Sequence, residues 1–334
     1  MIRRDFINNG IAISLTGQIP FRAKSAMSEI ADNVVIEKYQ PGRPHQGKVL
    51  AAIQPHCDDL PLFAGGTISK LIKEGYEGYL IRTTNDDHAG KGETVGDVIK
   101  NNSQDNQAVA GALGLKKVFD LGYRNHMMDN YSLQEIRGRL IFLFRLLKVD
   151  TIITYDPWGH YEENPDHYVT ARAVEAARWM SGGERDYPEH FEAGLKPHAV
   201  TERYYFARGP QLVNRIVDIA DFIEQKVDAN LAGVSQGPAG ENGSMIRRNL
   251  EKEGKYLPLL GNTDQEANRN YIKQVVLDMD SQNLRGIPSD KEAGRPYKLE
   301  WAERFHYIGA DPSLFSKYVQ ENATRIKGFK DGQD

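Results

Sequence analysis

The sequence predicts an α/β fold with a mostly parallel sheet that is covered by helices on both faces. Two observations lead to this prediction. From about residue 48, short apolar runs typical of buried strands alternate with longer segments whose apolar residues recur at helical spacing. Polar clusters follow the ends of these runs, where the carboxyl edge of a parallel sheet carries its ligand sites. Helical stretches broken by prolines continue beyond residue 235, which predicts a C-terminal helical extension.

The predicted strands and helices alternate in order along the chain. The expected strands are 49–53, 79–84, 118–121, 151–155 and 203–206, and the expected helices are 60–74, 94–113, 134–148, 167–180 and 217–231. The first strand is apolar throughout, as expected for a strand buried on both faces. The helix after it has Leu60, Phe63 and Leu71 at helical spacing. Gly75 then stands where a helix C-cap is expected.

Three segments follow from this pattern. We expect an N-terminal arm or export signal at 1–25, an α/β catalytic domain at 26–236, and a helical or irregular extension at 237–334 that packs on the core. Arg3 and Arg4 precede a weakly apolar stretch, and the start of the chain resembles the twin-arginine export signal of bacteria. Because that stretch is short and interrupted, periplasmic export and a cytoplasmic location both stay open.

Composition narrows the classes of function. The 334 residues include 42 Lys plus Arg and 46 Asp plus Glu, a net charge of −4, which gives no global footprint for nucleic acid or an anionic membrane. No apolar run approaches the roughly 18 residues of a transmembrane helix. Cys57 is the single cysteine, which excludes an intrachain disulfide framework and zinc sites with several thiolates. A small-molecule substrate fits these limits, and a homo-oligomer stays open.

Two polar clusters follow predicted strands that would end at the same edge of the sheet. His56, Asp58 and Asp59 come after the first strand, and His167 comes after the strand at 151–155. Two imidazoles and one carboxylate are the ligand set of an open catalytic zinc site, and Asp58 stands where a general base is needed. The alternative is structural, because adjacent aspartates also favour a helix N-terminus and a lone histidine after a strand is commonly a loop residue.

The clusters resemble the two motifs of the PIG-L or LmbE-like family of zinc-dependent de-N-acetylases. Residues 55–59 read Pro-His-Cys-Asp-Asp, similar to the family's Pro-His-x-Asp-Asp. Residues 164–167 read Asn-Pro-Asp-His, similar to its His-Pro-Asp-His. The resemblance covers about residues 48–236 and implies a Rossmann-like core. No Gly-x-Gly-x-x-Gly follows the first strand, which disfavours a dinucleotide-dependent oxidoreductase on the same fold.

The resemblance implies a role for each residue of the motifs. His56, Asp59 and His167 would bind Zn²⁺, or another divalent transition metal. Asp58 would activate a metal-held water molecule to attack an acetamide carbonyl, and Asp166 would orient a neighbouring polar group.

The sequence departs from the family pattern at several positions. Asn164 stands where the family has a histidine, and asparagine donates a hydrogen bond but cannot act as a general acid. Asp58 could then carry both proton transfers, or His160 could substitute. Cys57 is expected to be a small buried residue. The candidate substrate-binding residues, aligned by eye or taken from loops beside the clusters, are Asn85, Asp86, Asn102, Arg124, Asn125 and Tyr161.

Three functions remain open at this point. The first is a zinc-dependent hydrolase that removes an N-acetyl group from an N-acetylglucosamine-type substrate. The second, motivated by Asn164, is a catalytically silent carbohydrate-binding homologue. The third is a zinc amidase for a non-sugar amide.

Overall fold

A computed structural model describes residues 34–238, 240–309 and 314–324 of the chain. The expected export signal at 1–25 lies outside the described residues. The strands are β1 (Val35–Glu37), β2 (Val49–Gln54), β3 (Glu77–Thr84), β4 (Lys117–Tyr123), β5 (Thr151–Tyr155), β6 (Glu202–Phe206), β7 (Arg215–Asp218) and β8 (Ala302–Ile308). Within the described ranges, no helix is both long enough and apolar enough to cross a bilayer.

Eleven α-helices are described, several of them short. They are α1 (Asp59–Lys73), α2 (Val95–Ala112), α3 (Leu133–Leu147), α4 (Pro165–Ser181), α5 (Glu189–Glu192), α6 (Ile223–Ala232), α7 (Asn242–Lys252), α8 (Asp264–Asn270), α9 (Ser281–Arg285), α10 (Asp290–Gly294) and α11 (Leu314–Asn322). Helix α8 continues into a π-helix at Tyr271–Met279.

The eight strands form one mixed sheet in the order β1-β7-β8-β6-β5-β2-β3-β4. Every neighbouring pair is parallel except the two that involve β8. The order β4-β3-β2-β5-β6 is that of a doubly wound fold, with its topological switch point between β2 and β5. The predicted α/β class and Rossmann-like sheet are confirmed. Ligands of such sheets bind beyond the carboxyl ends of the strands at the switch point.

Strand β2 shows why both faces of the sheet are covered. Leu50 and Ala52 belong to one buried apolar cluster, together with side chains of α1 and α6. Ala51 and Ile53 belong to a second cluster, together with side chains of α3 and α4. Since successive side chains of a strand point to opposite faces, a continuous apolar run fits this environment.

Two C-terminal features differ from the predictions. The segment 217–231 was expected to be one helix, but Ile216 and Val217 lie in β7, paired with β1 and β8, and α6 begins only at Ile223. A short apolar run looks alike in a strand and in a buried helix, and here pairing with two neighbouring strands decides. The C-terminal helices are present, but strand β8, which lies inside the sheet between β7 and β6, was not predicted.

The charged residues of β8 explain why it was missed. Its second residue, Glu303, is 2% exposed. It accepts hydrogen bonds from the backbone N–H groups of Gly66 and Thr67 and from Lys226 Nζ. A carboxylate at a buried strand position hides the apolar signal that sequence reading depends on.

Candidate active site

Two turns bring the two polar clusters to the switch point. After β2, the chain turns through His56, Asp58 precedes the first residue of α1, and Asp59 begins that helix. After β5, Asn164 caps α4, with its Oδ1 atom accepting the backbone N–H of Asp166. The helix was expected to begin at His167, but it begins at Pro165, so His167 is its third residue. Because β2 and β5 are parallel neighbours, both helices begin at the same edge of the sheet.

His56, Asp59 and His167 form a compact, buried donor set. His56 Nδ1 lies 3.1 Å from His167 Nε2. Asp59 Oδ2 lies 3.5 Å from His56 Nδ1, and Asp59 Oδ1 lies 3.6 Å from His167 Nε2. One donor atom from each residue lies within 4.8 Å of the others. Two imidazole nitrogens and one carboxylate oxygen fit a metal site with an open coordination position.

Asp166 fixes the orientation of the His56 ring. Its Oδ2 atom lies 3.0 Å from His56 Nε2 and accepts the backbone N–H of His126 at 2.6 Å. Its Oδ1 atom accepts the backbone N–H of Met128 at 3.2 Å. The carboxylate thus holds one ring nitrogen and leaves Nδ1 facing the donor set, as expected for a carboxylate behind a histidine ligand.

Tyr155 supports the other two members and was not singled out from the sequence as a site residue. Its hydroxyl donates to Asp59 Oδ1 at 2.6 Å. Its ring stacks on that of His167, with centroids 4.2 Å apart and planes 15° apart. The signal available in the sequence was its position as the last residue of the strand before the second cluster.

The pKa values of His56, Asp58 and Asp59 are shifted in different directions. Burial opposes protonation of His56, but hydrogen bonds to Asp166 and Asp59 outweigh it and raise the pKa of His56 well above 6.5. Burial disfavours the ionised form of Asp59, yet the neighbouring His167 and His56 lower its pKa. The pKa of Asp58 is raised, first by burial and then by the charge of Asp59. Adjacent carboxylates in different surroundings can thus take different roles.

A cavity of about 450 Å³ lies over this cluster. Its strand-edge wall, defined as the lining residues from β2 to Arg208, includes Asp58, Asn125, His126, Asn164 and Arg208 beside the donor set. Its C-terminal wall, defined as the lining residues between 236 and 285, includes Gln236, Gly237, Asn242, Tyr271 and Asn283. No residue of the C-terminal wall was predicted as a site residue. His126 also faces the cavity, although it was not predicted as a site residue.

Asp58 lies where the two walls meet. It precedes α1 without making a side-chain cap hydrogen bond. Gly237 approaches it so closely that a Cβ atom at Gly237 would lie 2.2 Å from Asp58 Oδ2. Gly237 also has φ +69°, which L side chains rarely adopt. The C-terminal wall can therefore pack over Asp58 only because residue 237 is a glycine.

Among the candidate substrate residues, Asn125 faces the cavity. It is fully buried, and within the described ranges neither its Oδ1 nor its Nδ2 atom has a hydrogen-bond partner. A buried amide without partners is unusual, because buried polar groups are normally hydrogen-bonded. The N–H of its own backbone is held by Asp87 Oδ1 at 2.9 Å.

The other candidates do not line the cavity. Asp86 pairs with Arg82 at 2.8 Å, and Arg124 pairs with Asp87 at 2.8 Å. Asn102 donates to the carbonyl oxygens of residues 86 and 89 and accepts from Gln236. The polar groups of Asp86, Arg124 and Asn102 are thus engaged in contacts with neighbouring loop residues. Three further residues also lie outside the lining, namely Asn85, Tyr161 and His160. Cys57 is buried, as expected.

Comparison with known proteins decides the family. Residues 51–178 match the family model described as PIG-L, GlcNAc-PI de-N-acetylase. A diacetylchitobiose deacetylase from Thermococcus kodakarensis is 30% identical over 198 residues, which cover 57% of this chain and 71% of that protein. The chain belongs to the PIG-L family. The family predicted from the two motifs is thus confirmed.

Other relatives of this PIG-L family member broaden the comparison. A 1D-myo-inositol 2-acetamido-2-deoxy-alpha-D-glucopyranoside deacetylase from Mycobacterium sp. (strain KMS) is 25% identical over 241 residues, covering 58% of this chain and 76% of that protein. The solved N,N'-diacetylchitobiose deacetylase from Pyrococcus horikoshii superposes with a TM-score of 0.58 at 22% identity, covering 78% of this chain and 84% of that chain.

The fold is also shared beyond deacetylases. GalB, a 4-carboxy-2-hydroxymuconate hydratase from Pseudomonas putida KT2440, superposes with a TM-score of 0.53 at 17% identity, covering 80% of this chain and 98% of that chain. Such structural likeness shows the fold alone, so the reaction has to be argued from the site.

Proposed function

We propose that this protein is a zinc-dependent hydrolase that removes the N-acetyl group from an N-acetylglucosamine-type substrate. The observation that carries the proposal is the buried donor set of His56, Asp59 and His167, with Asp58 beside it in one cavity. Family membership and relatives named as deacetylases of diacetylchitobiose and of a GlcNAc-inositol support the substrate class. Zinc fits the donor set because it accepts imidazole and carboxylate ligands and leaves one position open.

The proposed reaction is the hydrolysis of an acetamide. When bound, zinc would polarise the carbonyl group and lower the pKa of a water molecule. Asp58 accepts a proton from the attacking water, whose oxygen bonds to the carbonyl carbon. The C–N bond then breaks, and Asp58 returns the proton to the leaving nitrogen, which gives a free amine and acetic acid, and the acid releases its proton to solvent as acetate. A base within hydrogen-bond reach of the proton that it takes accelerates such a step by about 10²–10⁴-fold.

Asn164 and Asn125 take binding roles in this proposal. The Nδ2 group of Asn164 faces the cavity 3.5 Å from His167 Nε2 and can donate to the oxygen that gains charge. Because an amide cannot supply a proton, both proton transfers fall to Asp58. The amide of Asn125, which has no hydrogen-bond partner among the described residues, would bind a substrate hydroxyl or carbonyl group.

The test combines metal content with acetate release. Purified protein incubated with zinc should bind about one zinc per chain and release acetate from N-acetylglucosamine or its oligomers. Asp58→Asn should keep the metal and lose about 10²–10⁴-fold in kcat. Asp129→Asn is the control, because Asp129 is exposed and outside the cavity. Undiminished turnover of Asp58→Asn would exclude Asp58 as the base.

Asn164 supports a second candidate, a catalytically silent carbohydrate-binding homologue. That protein would bind zinc and amino sugars but release no acetate from them. Acetate release from acylated amino acids without release from amino sugars would instead favour an amidase for non-sugar amides.

A further inference from the structure

A second carboxylate lies behind the donor set, against His167, whereas Asp166 lies against His56. Glu162, in the loop between β5 and α4, places Oε2 3.1 Å from His167 Nδ1. The Nε2 atom of the same ring faces Asp59 and His56. The His167 ring therefore lies between a carboxylate on its Nδ1 side and the donor set on its Nε2 side.

Burial gives this contact its importance. The His167 side chain is 3% exposed and that of Glu162 is 11% exposed. His167 Nδ1 and Glu162 Oε2 are both buried, and in the part of the chain that the structure describes neither atom forms an aligned hydrogen bond. Because a buried donor or acceptor is costly to leave unpaired, each of these two atoms, which lie 3.1 Å apart, is the natural partner of the other.

The loop holds Glu162 ready for this contact. Its other oxygen, Oε1, accepts the backbone N–H of Asn164 at 3.1 Å. Because Asn164 caps the helix that carries His167, the carboxylate is tied to the same turn as the ring that it faces. Glu163, its neighbour, is exposed and makes no hydrogen bond or ion pair with another described residue.

We propose that Glu162 is a positioning residue that sets the tautomer and orientation of His167 as a metal ligand. A proton on Nδ1 pairs with Glu162, which leaves the lone pair of Nε2 for the metal. His56 has a corresponding arrangement with its nitrogens exchanged, since its Nε2 atom lies 3.0 Å from Asp166 Oδ2 and its Nδ1 atom faces the donor set. Carboxylates that hold histidine ligands commonly change metal affinity by about 10–100-fold when they are mutated. This inference rests on the metal site of the proposed function.

The experiment compares Glu162→Ala and Glu162→Gln with the matched control Glu163→Ala. Zinc affinity is measured by competition with a chromophoric chelator, and the visible absorption spectrum of the cobalt-loaded protein reports on the ligand geometry. We expect Glu162→Ala to bind zinc about 10–100-fold more weakly and to change the cobalt spectrum. Glu162→Gln should lie between Glu162→Ala and the wild type, because its amide keeps the size of the side chain and removes its charge. Glu163→Ala should match the wild type.

The outcomes separate this inference from the proposed function. Wild-type protein that binds no zinc would overturn both. Zinc bound equally well by the wild type, Glu162→Ala and Glu162→Gln, with unchanged cobalt spectra, would overturn the role of Glu162 and leave the metal site standing. If Glu162→Ala unfolds, Glu162→Gln decides, since its weaker zinc binding with an unchanged melting temperature is the supporting result.

Discussion

The two walls of the cavity are built in different ways. In the strand-edge wall, the donor set is held by the carboxylate of Asp166 and the hydroxyl of Tyr155. In the C-terminal wall, Gly237 can lie against Asp58 because it has no side chain. Asn242 makes no side-chain hydrogen bond among the described residues. The donor set and the opposite wall of the cavity therefore come from separate parts of the chain. The match to the family model, residues 51–178, falls entirely on the first part.

The largest effect should come from removing a member of the donor set. His167→Ala should lose stoichiometric zinc and reduce acetate release to background, because a three-residue site is left with two ligands. Zinc per chain and kcat/KM are the measurements. His160→Ala is the control, since His160 is exposed and lies outside the cavity lining. A His167→Ala protein that holds zinc as well as the wild type would show that the strand-edge wall is not the metal site.

The next effect tests the contact between the walls. Gly237→Ala places a Cβ atom 2.2 Å from Asp58 Oδ2, so either Asp58 or the C-terminal wall has to move. We expect kcat to fall by about 100-fold while zinc affinity stays within about twofold, because misplacement by about 1 Å has such a cost.

Gly254→Ala is the matched control for Gly237→Ala. Gly254 has the same φ of +69° but no atom within 4 Å of its added Cβ. It reproduces the backbone strain without the collision. If the two variants lose the same activity, strain explains the effect, and the contact of Gly237 with Asp58 does not.

The strand-edge wall could largely be predicted from the sequence. His56, Asp59 and His167 each follow an apolar strand, and the rule for parallel sheets places such residues at one edge. Tyr155 could not be recognised, because an aromatic residue at a strand end is as common in packing as in a site. Asn102 and Asp86 were predicted to bind substrate; in the structure Asn102 bonds to a backbone carbonyl group and Asp86 pairs with Arg82, contacts that the sequence does not reveal.

The C-terminal wall could not be predicted. Its polar residues are scattered through a segment interrupted by prolines, and only the tertiary fold brings Asn242, Tyr271 and Asn283 to one surface. The missed strand β8 has the same kind of cause, since its buried Glu303 is explained by partners on α1 and α6. Sequence periodicity reports burial, and it does not report long-range pairing of polar groups.

A smaller effect should distinguish recognition from chemistry. Tyr271→Ala and Asn242→Ala remove an aromatic face and an amide from the C-terminal wall, so KM should rise by about 3–10-fold with kcat nearly unchanged. The measurement is kcat and KM for N-acetylglucosamine and for its disaccharide. Asn262→Ala is the control, because Asn262 is exposed outside the cavity. A fall in kcat at constant KM would place the C-terminal wall in the chemical step and remove the distinction between the walls.

The smallest effect follows from the raised pKa of His56. In the metal-free protein, hydrogen bonds to Asp166 and Asp59 outweigh burial and hold a proton on His56 at pH values above 6.5. This proton stabilises the metal-free fold fully below the unfolded pKa of about 6.5, and the contribution is lost as the pH rises through the raised pKa. Zinc requires a neutral imidazole, so binding at pH values below the raised pKa of His56 should release a proton from it and weaken as the pH falls. Calorimetry of zinc binding in buffers with different ionisation enthalpies measures that release. Asp166→Asn should reduce it, because His56 loses its carboxylate partner, whereas an enthalpy independent of the buffer would show that His56 is already neutral and that Asp166 only orients it.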